Sequence, residues 1–177
     1  MSADVAPLAE LARLLRLHPG AVVFTGAGMS TESGLPDFRS QSPNLGTPAG
    51  LWKQNRRFEE LASVEALESA YDEHVAFYRW RIEMLAAHAP NDGHRVLADW
   101  QRRGLVGTII TQNVDGFHTQ AGATEVLELH GTLANVRCDR CGVERPAAEF
   151  LTPAGLVCPC GGKRRPGVVL FGEALPA

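Results

Sequence analysis

Apolar residues along this chain follow two periods. Short, largely unbroken apolar runs occur at Ala21–Phe24 (AVVF), Leu105–Ile110 (LVGTII), Val126–Leu129 and Val168–Phe171. Runs of this length and β-branched character suit parallel strands covered on both faces, and AVVF reads as a central one. Elsewhere apolar residues return every three or four positions, the spacing that lines one side of a helix. Leu8, Leu11, Leu14 and Leu15 follow Pro7 and stop at Pro19-Gly20, which predicts a helix with proline in its first turn, lying at the sheet edge. Ser63, with Glu65 and Glu68 behind it, opens a helical pattern over Val64 to Ala87. Pro90 interrupts it, and Asn91 caps a second helix from Asp92 to Arg103. Gln41 to Gly50, with two prolines and two glycines, reads as a loop. Strands alternating with helices predict an α/β fold with a parallel sheet.

The 177 residues, 45% hydrophobic and 21% charged, allow one main core with a small satellite. A net charge of −3 argues against a nucleic-acid surface as the primary partner. No apolar run approaches the roughly 18 residues that cross a bilayer, and the N-terminus lacks a basic segment before an apolar one. The expected location is cytoplasmic, with no membrane partner.

The sharpest local signal follows AVVF, in GAGMSTESGLPDFRS from Gly26 to Ser40. Gly26 and Gly28 let backbone N–H groups approach a pyrophosphate, and the next helix offers its N-terminus to the same anion. A Gly-x-Gly alone is equally a plain turn. Pro36, Asp37, Phe38 and Arg39 add a carboxylate, a ring and a guanidinium where a dehydrogenase fingerprint continues as helix, which weakens an oxidoreductase reading.

The four cysteines form a CxxC, Cys138 and Cys141, and after sixteen residues a CxC, Cys158 and Cys160. In a reducing compartment these spacings favour a tetrahedral thiolate site for zinc, with a redox dithiol as the alternative. The strand at 105–110 runs into TQNVDGFH, Thr111 to His118, and the strand at 126–129 into His130-Gly131. Open α/β sheets bind ligands at such carboxyl ends, so Asn113, Asp115 and His130 converge on one cleft. A lone histidine is often structural, but imidazole titrates near neutral pH and suits proton transfer.

GAGMSTESGLPDFRS, TQNVDGFH, LELHGTL, the four cysteines and VVLFGEALP, in this order, resemble the sirtuin family of NAD-dependent protein deacylases over about Ala21 to Pro176. The resemblance implies a doubly wound parallel sheet, Rossmann-like but incomplete, over residues 1–136 and 166–177, a small zinc-binding module over 137–165, and between them a cleft in which acyl-lysine meets NAD, with release of nicotinamide and O-acyl-ADP-ribose. Carried over by position, Gly26, Ala27, Gly28 and Ser30 would hold phosphates, and Asp37, Phe38 and Arg39 would close over the nicotinamide ribose. Gln112, Asn113 and Asp115 would bind ribose hydroxyls and the carboxamide, and His130 would be the general base. Val168, Phe171 and Gly172 would pair with the substrate peptide. Tyr78 and Arg81 stand three apart on one helical face, which by itself fits a solvated surface. In sirtuins such a pair implies removal of acidic acyl groups such as succinyl, because a phenol and a guanidinium fork can hold a carboxylate. The resemblance also implies a further stretch beyond the FGE motif, which this sequence lacks. A catalytically impaired module that binds acyl-lysine or another partner, and a protein ADP-ribosyltransferase, therefore remain the alternatives.

Overall fold

The computed structural model describes residues 5–36 and 58–175. Asp37, Phe38, Arg39 and the loop expected at 41–50 lie outside the described residues. Helix α1 spans Val5–Leu17. Its leucine stripe is present as expected, yet Leu8, Leu11, Leu14 and Leu17 are all exposed. No helix among the described residues is long and apolar enough to cross a membrane.

Strands β1 (Ala21–Thr25), β2 (Val106–Thr111) and β3 (Val126–Glu128) form a parallel sheet in the order β1-β2-β3. Two cross-strand rows define its faces: Val23, Ile109 and Val126 in one, Phe24, Ile110 and Leu127 in the other. The first row packs against Ala98, Leu97 and Trp100 of the helix at Asp92–Arg102. In the second, Phe24 is 60% and Leu127 52% exposed. The expectation of a central β1 buried on both faces is therefore corrected. β2 is the central strand, β1 lies at an edge of the described sheet, and its side chains alternate because, among the described residues, a helix covers one face only.

Helix α2 (Phe58–Leu61) was not evident in the apolar pattern. The long helix expected over 64–87 is two, α3 (Val64–Ser69) and α4 (Tyr71–Ala86), broken where Ala70 leaves helical torsions at φ −138°, ψ 47°. No proline or glycine marks that break. Ser63 caps α3, accepting from Ala66 N–H at 3.1 Å, and Asn91 caps α5 (Asp92–Arg102), accepting from His94 N–H at 3.2 Å. A short helix, α6, covers Phe117–Gln120.

A second, antiparallel sheet has the order β5-β4-β6, with β4 at Gly131–Cys138, β5 at Glu144–Pro146 and β6 at Arg164–Val168. The strand expected at 168–171 thus ends at Val168 and joins this sheet. The expected boundaries at 136/137 and 165/166 fall inside β4 and β6. Gly131 has φ +73°, and a Cβ there would overlap the Gly167 carbonyl, so glycine is required where β4 presses on β6. The larger core lies between α4 and this second sheet, where Val75, Phe77 and Tyr78 meet Leu133, Val136 and Leu170.

Candidate functional site

Gln112 sits at the junction of three elements. Its backbone N–H donates to the Thr25 carbonyl at 3.1 Å, and its own carbonyl lies 2.9 Å from His130 Nδ1. Its side-chain Nε2 is 3.4 Å from where a Cβ on Gly26 would stand. The end of β1, the end of β2 and the turn after β3 therefore line one crevice. Gly26 is extended (φ −144°, ψ −169°), a conformation any residue adopts. A Cβ at position 26 would make only an ordinary contact with the Gln112 Nε2, so among the described residues neither torsion nor bulk demands glycine there. At Gly28 an added Cβ would meet nothing within 4 Å among the described residues, so that side of the turn is open. The helix expected to follow β1 is a 3-10 helix, Ala27–Ser33, which includes Gly28. The macrodipole argument weakens accordingly, because seven residues in tight turns align fewer peptide dipoles.

Behind the turn, Ser30, which is 2% exposed, donates its hydroxyl to Asp115 Oδ2 at 2.7 Å and accepts from Asn113 Nδ2 at 3.1 Å. Asp115 Oδ1 also accepts the Phe117 N–H at 2.9 Å, just ahead of α6. The Ser30 hydroxyl is thus turned toward Asp115 and Asn113, fixing the orientation of both. His94 Nε2 stands 3.5 Å from the same hydroxyl, and Asn91 Nδ2 donates to the Met29 carbonyl at 2.8 Å, anchoring the turn to the start of α5. Burial lowers the His94 pKa, with Asp115 opposing.

A lower layer supports this one. Thr25 Oγ1 donates to Thr111 Oγ1 at 2.9 Å and lies 2.9 Å from His118 Nε2. Burial, reinforced by His94, pushes the His118 pKa down to about 4. Neither its Nδ1 nor the Nε2 of His74 has a partner among the described residues. Neither spacing nor motif assigns a role to Thr25, Thr111, His94 or His118, and Asn91 reads only as a helix cap; the partial signals are that His94 stands three residues past that cap and that His118 closes the TQNVDGFH string.

On the other side of His130, its backbone carbonyl accepts the Val169 N–H at 3.0 Å. Phe171 bonds through its N–H to Ala62 and through its carbonyl to Val64, both at 3.0 Å. Residues 168–172 therefore run alongside the crevice. Tyr78 is 1% exposed and packs edge-on against Phe77, with ring centroids 5.0 Å apart. The Arg81 guanidinium lies 5.7 Å from the centroids of both rings. Burial lowers the Arg81 pKa, while Tyr78 and the Asp115 carboxylate oppose that shift.

The cysteines form a separate centre. All four Sγ atoms lie within 4.8 Å of one another, with Cys138 to Cys160 at 3.5 Å and Cys141 to Cys158 at 3.7 Å. All four are free thiols. Zn–S bonds of about 2.3 Å give a tetrahedron with edges of about 3.8 Å, which these separations fit. The Cys141 N–H, the largest influence, holds the Cys138 thiol down to about 6. A thiolate beside three other sulfurs suits a cation at their centre.

The Sir2 family model matches residues 26–177. The chain is 55% identical over 157 residues to NAD-dependent protein deacetylase 1 of Geobacillus kaustophilus (strain HTA426), covering 88% of this chain and 61% of that protein. It is 44% identical over 169 residues to the NAD-dependent protein deacylase of Aeropyrum pernix (strain ATCC 700893), covering 94% of this chain and 65% of that one. A solved Sir2 homologue in complex with NAD superposes with a TM-score of 0.78 at 38% identity, covering 93% of this chain and 63% of that one. Sir2Tm bound to a propionylated peptide superposes with a TM-score of 0.75 at 32% identity, covering 96% and 66%. This chain spans about three fifths of the length of the first of these relatives. With its glycine turn, paired strand ends and four-thiolate module in the family's order, the chain belongs to the Sir2 family.

Proposed function

We propose that this chain carries the catalytic crevice of an NAD-dependent protein-lysine deacylase that releases nicotinamide and O-acyl-ADP-ribose. The observation that carries this reading is the placement of His130 beside the glycine turn through Gln112, with the 168–172 segment on its other side. A carbonyl oxygen only accepts, so the Gln112 contact places the neutral ring's proton on Nδ1 and leaves the Nε2 lone pair for a substrate hydroxyl. Family members are named as NAD-dependent deacetylases and deacylases, and solved relatives hold NAD or acyl peptides.

The residues fit NAD. The phosphates would lie beside the backbone N–H groups of Ala27 and Gly28, where a Cβ on Gly28 would meet no described atom within 4 Å. Asp115 and Asn113, held by Ser30, offer an acceptor and a donor to the carboxamide and ribose. When bound, NAD would supply a ribose carbon from which nicotinamide leaves as the acyl oxygen bonds to it. His130 Nε2 would take the proton of a ribose hydroxyl so that its oxygen can bond to the acyl carbon, and one solvent water would be consumed as the carbon–nitrogen bond breaks, leaving the free lysine amine and O-acyl-ADP-ribose. Asp37, Phe38 and Arg39 would cover the nicotinamide side, and Val168, Phe171 and Gly172 would receive the peptide backbone. Tyr78 and Arg81 would hold the distal carboxylate of a succinyl group, adding desuccinylase activity, and the site of action would be the cytoplasm.

Incubating the purified chain with NAD and either acetylated or succinylated peptide, and following free nicotinamide together with the mass of O-acyl-ADP-ribose, tests the reading. Peptide binding with no nicotinamide released would favour the non-catalytic binding module instead, and ADP-ribose appearing on protein would favour the transferase.

A further inference from the structure

Glu173 closes a tight turn just past β6. Its N–H donates to the Leu170 carbonyl at 3.0 Å, and Gly172 in the third position has φ +94°, the left-handed value a type II turn needs there. The Glu173 carboxylate reaches back to the Leu170 N–H at 2.8 Å and meets the two terminal nitrogens of Arg165 at 2.5 and 2.7 Å. Arg165 is 2% exposed and gives a further N–H to the Val168 carbonyl at 2.8 Å. Arg137 of β4 approaches the same carboxylate at 3.6 Å. A guanidinium desolvated this fully adds little net stability even when paired, so its sharper effect is on geometry. Here one bidentate pair joins positions 165, 168, 170 and 173, while the alternate backbone groups of Val169 and Phe171 bond to His130, Ala62 and Val64.

We propose that Glu173 and Arg165 are positioning residues for the acyl-lysine substrate, holding residues 168–172 in a single preformed shape against which the peptide backbone docks. The proposal rests on the deacylase reading above. A binding edge that is already ordered loses less conformational freedom on association, so releasing the fork lowers peptide affinity without touching the nucleotide crevice.

The test uses the full chain and a fluorescein-labelled acetyl-lysine peptide, with NAD affinity measured in parallel and backbone amide exchange followed at Leu170 and Phe171. Glu173→Gln keeps an acceptor for the Leu170 N–H but loses the charge. It should weaken peptide binding about tenfold, speed exchange at both amides and leave NAD affinity unchanged. Arg165→Lys keeps the charge but not the fork and should fall between. If Glu173→Gln does not fold, Arg165→Lys and Glu173→Asp carry the same comparison. Equal peptide affinity in native and variant chains overturns the positioning role while leaving the deacylase reading intact, as does a parallel loss of both ligands. A native chain that binds no peptide defeats the deacylase reading, and this proposal with it.

Discussion

His130 Nδ1 and the Gln112 carbonyl oxygen, 2.9 Å apart, join the turn after β3 to the end of β2. Because that contact requires a ring proton on Nδ1, nitrogen-detected NMR of the chain at pH 8 should show His130 as the Nδ1–H tautomer. Signals of an Nε2–H ring would contradict the assignment of Nε2 as the basic nitrogen.

Arg81 offers a test of acyl preference. Losing a charge-assisted fork to a carboxylate should lower kcat/KM for a succinylated peptide by roughly 10- to 100-fold in Arg81→Met, with little change for the acetylated one. Equal losses on both peptides would show that Arg81 acts on the fold through Phe77 and Tyr78 rather than on the acyl group.

The thiolate cluster predicts a structural metal. The purified chain should carry one equivalent of zinc by elemental analysis, and Cys141→Ser or strong chelation should lower stability by at least ~3 kcal/mol in urea, since metal affinity adds directly to folding. Identical unfolding curves with and without chelator would rule out that contribution.

Legibility in the sequence was uneven for identifiable reasons. The strands at 21–25, 106–111 and 126–128 and the capped helix after Asn91 could be read because apolar runs and an Asn cap are local signals. The position of β1 could not, because AVVF is equally apolar on both faces and only the cross-strand rows show that Phe24 stands uncovered while Val23 meets α5. β4 escaped because GTLANVRC mixes polar and apolar residues, and its partner β6 carries Arg164, Arg165 and Pro166. Those arginines are buried by long-range pairs, Arg164 with Glu149 and Arg165 with Glu173, which no periodicity announces. In the crevice, the direction of the Ser30 hydroxyl toward Asp115 likewise depends on contacts 85 positions apart.

Acid should destabilise the fold over a defined window. Burial holds His74, which donates Nδ1–H to the Leu61 carbonyl at 2.9 Å, and His118 each down to about 4. In the unfolded chain both imidazoles regain the ordinary value of about 6.5. Their neutral forms therefore favour the folded state fully above about pH 6.5, and this contribution declines as pH falls toward 4, where the unfolded chain binds the protons first. The pair should lose about 3 kcal/mol between pH 6.5 and 5, read from urea titrations, and His74→Gln should halve the slope. A flat profile across that interval would contradict the burial of neutral rings.

The most direct measurement of the central claim is formation of O-acyl-ADP-ribose from NAD and an acetyl-lysine peptide by the native chain and by His130→Ala. A positioned general base contributes on the order of 10²- to 10⁴-fold, so the variant should bind the peptide normally and form product at least ~100-fold more slowly. Equal rates in the two chains, or no product from the native one, would contradict it.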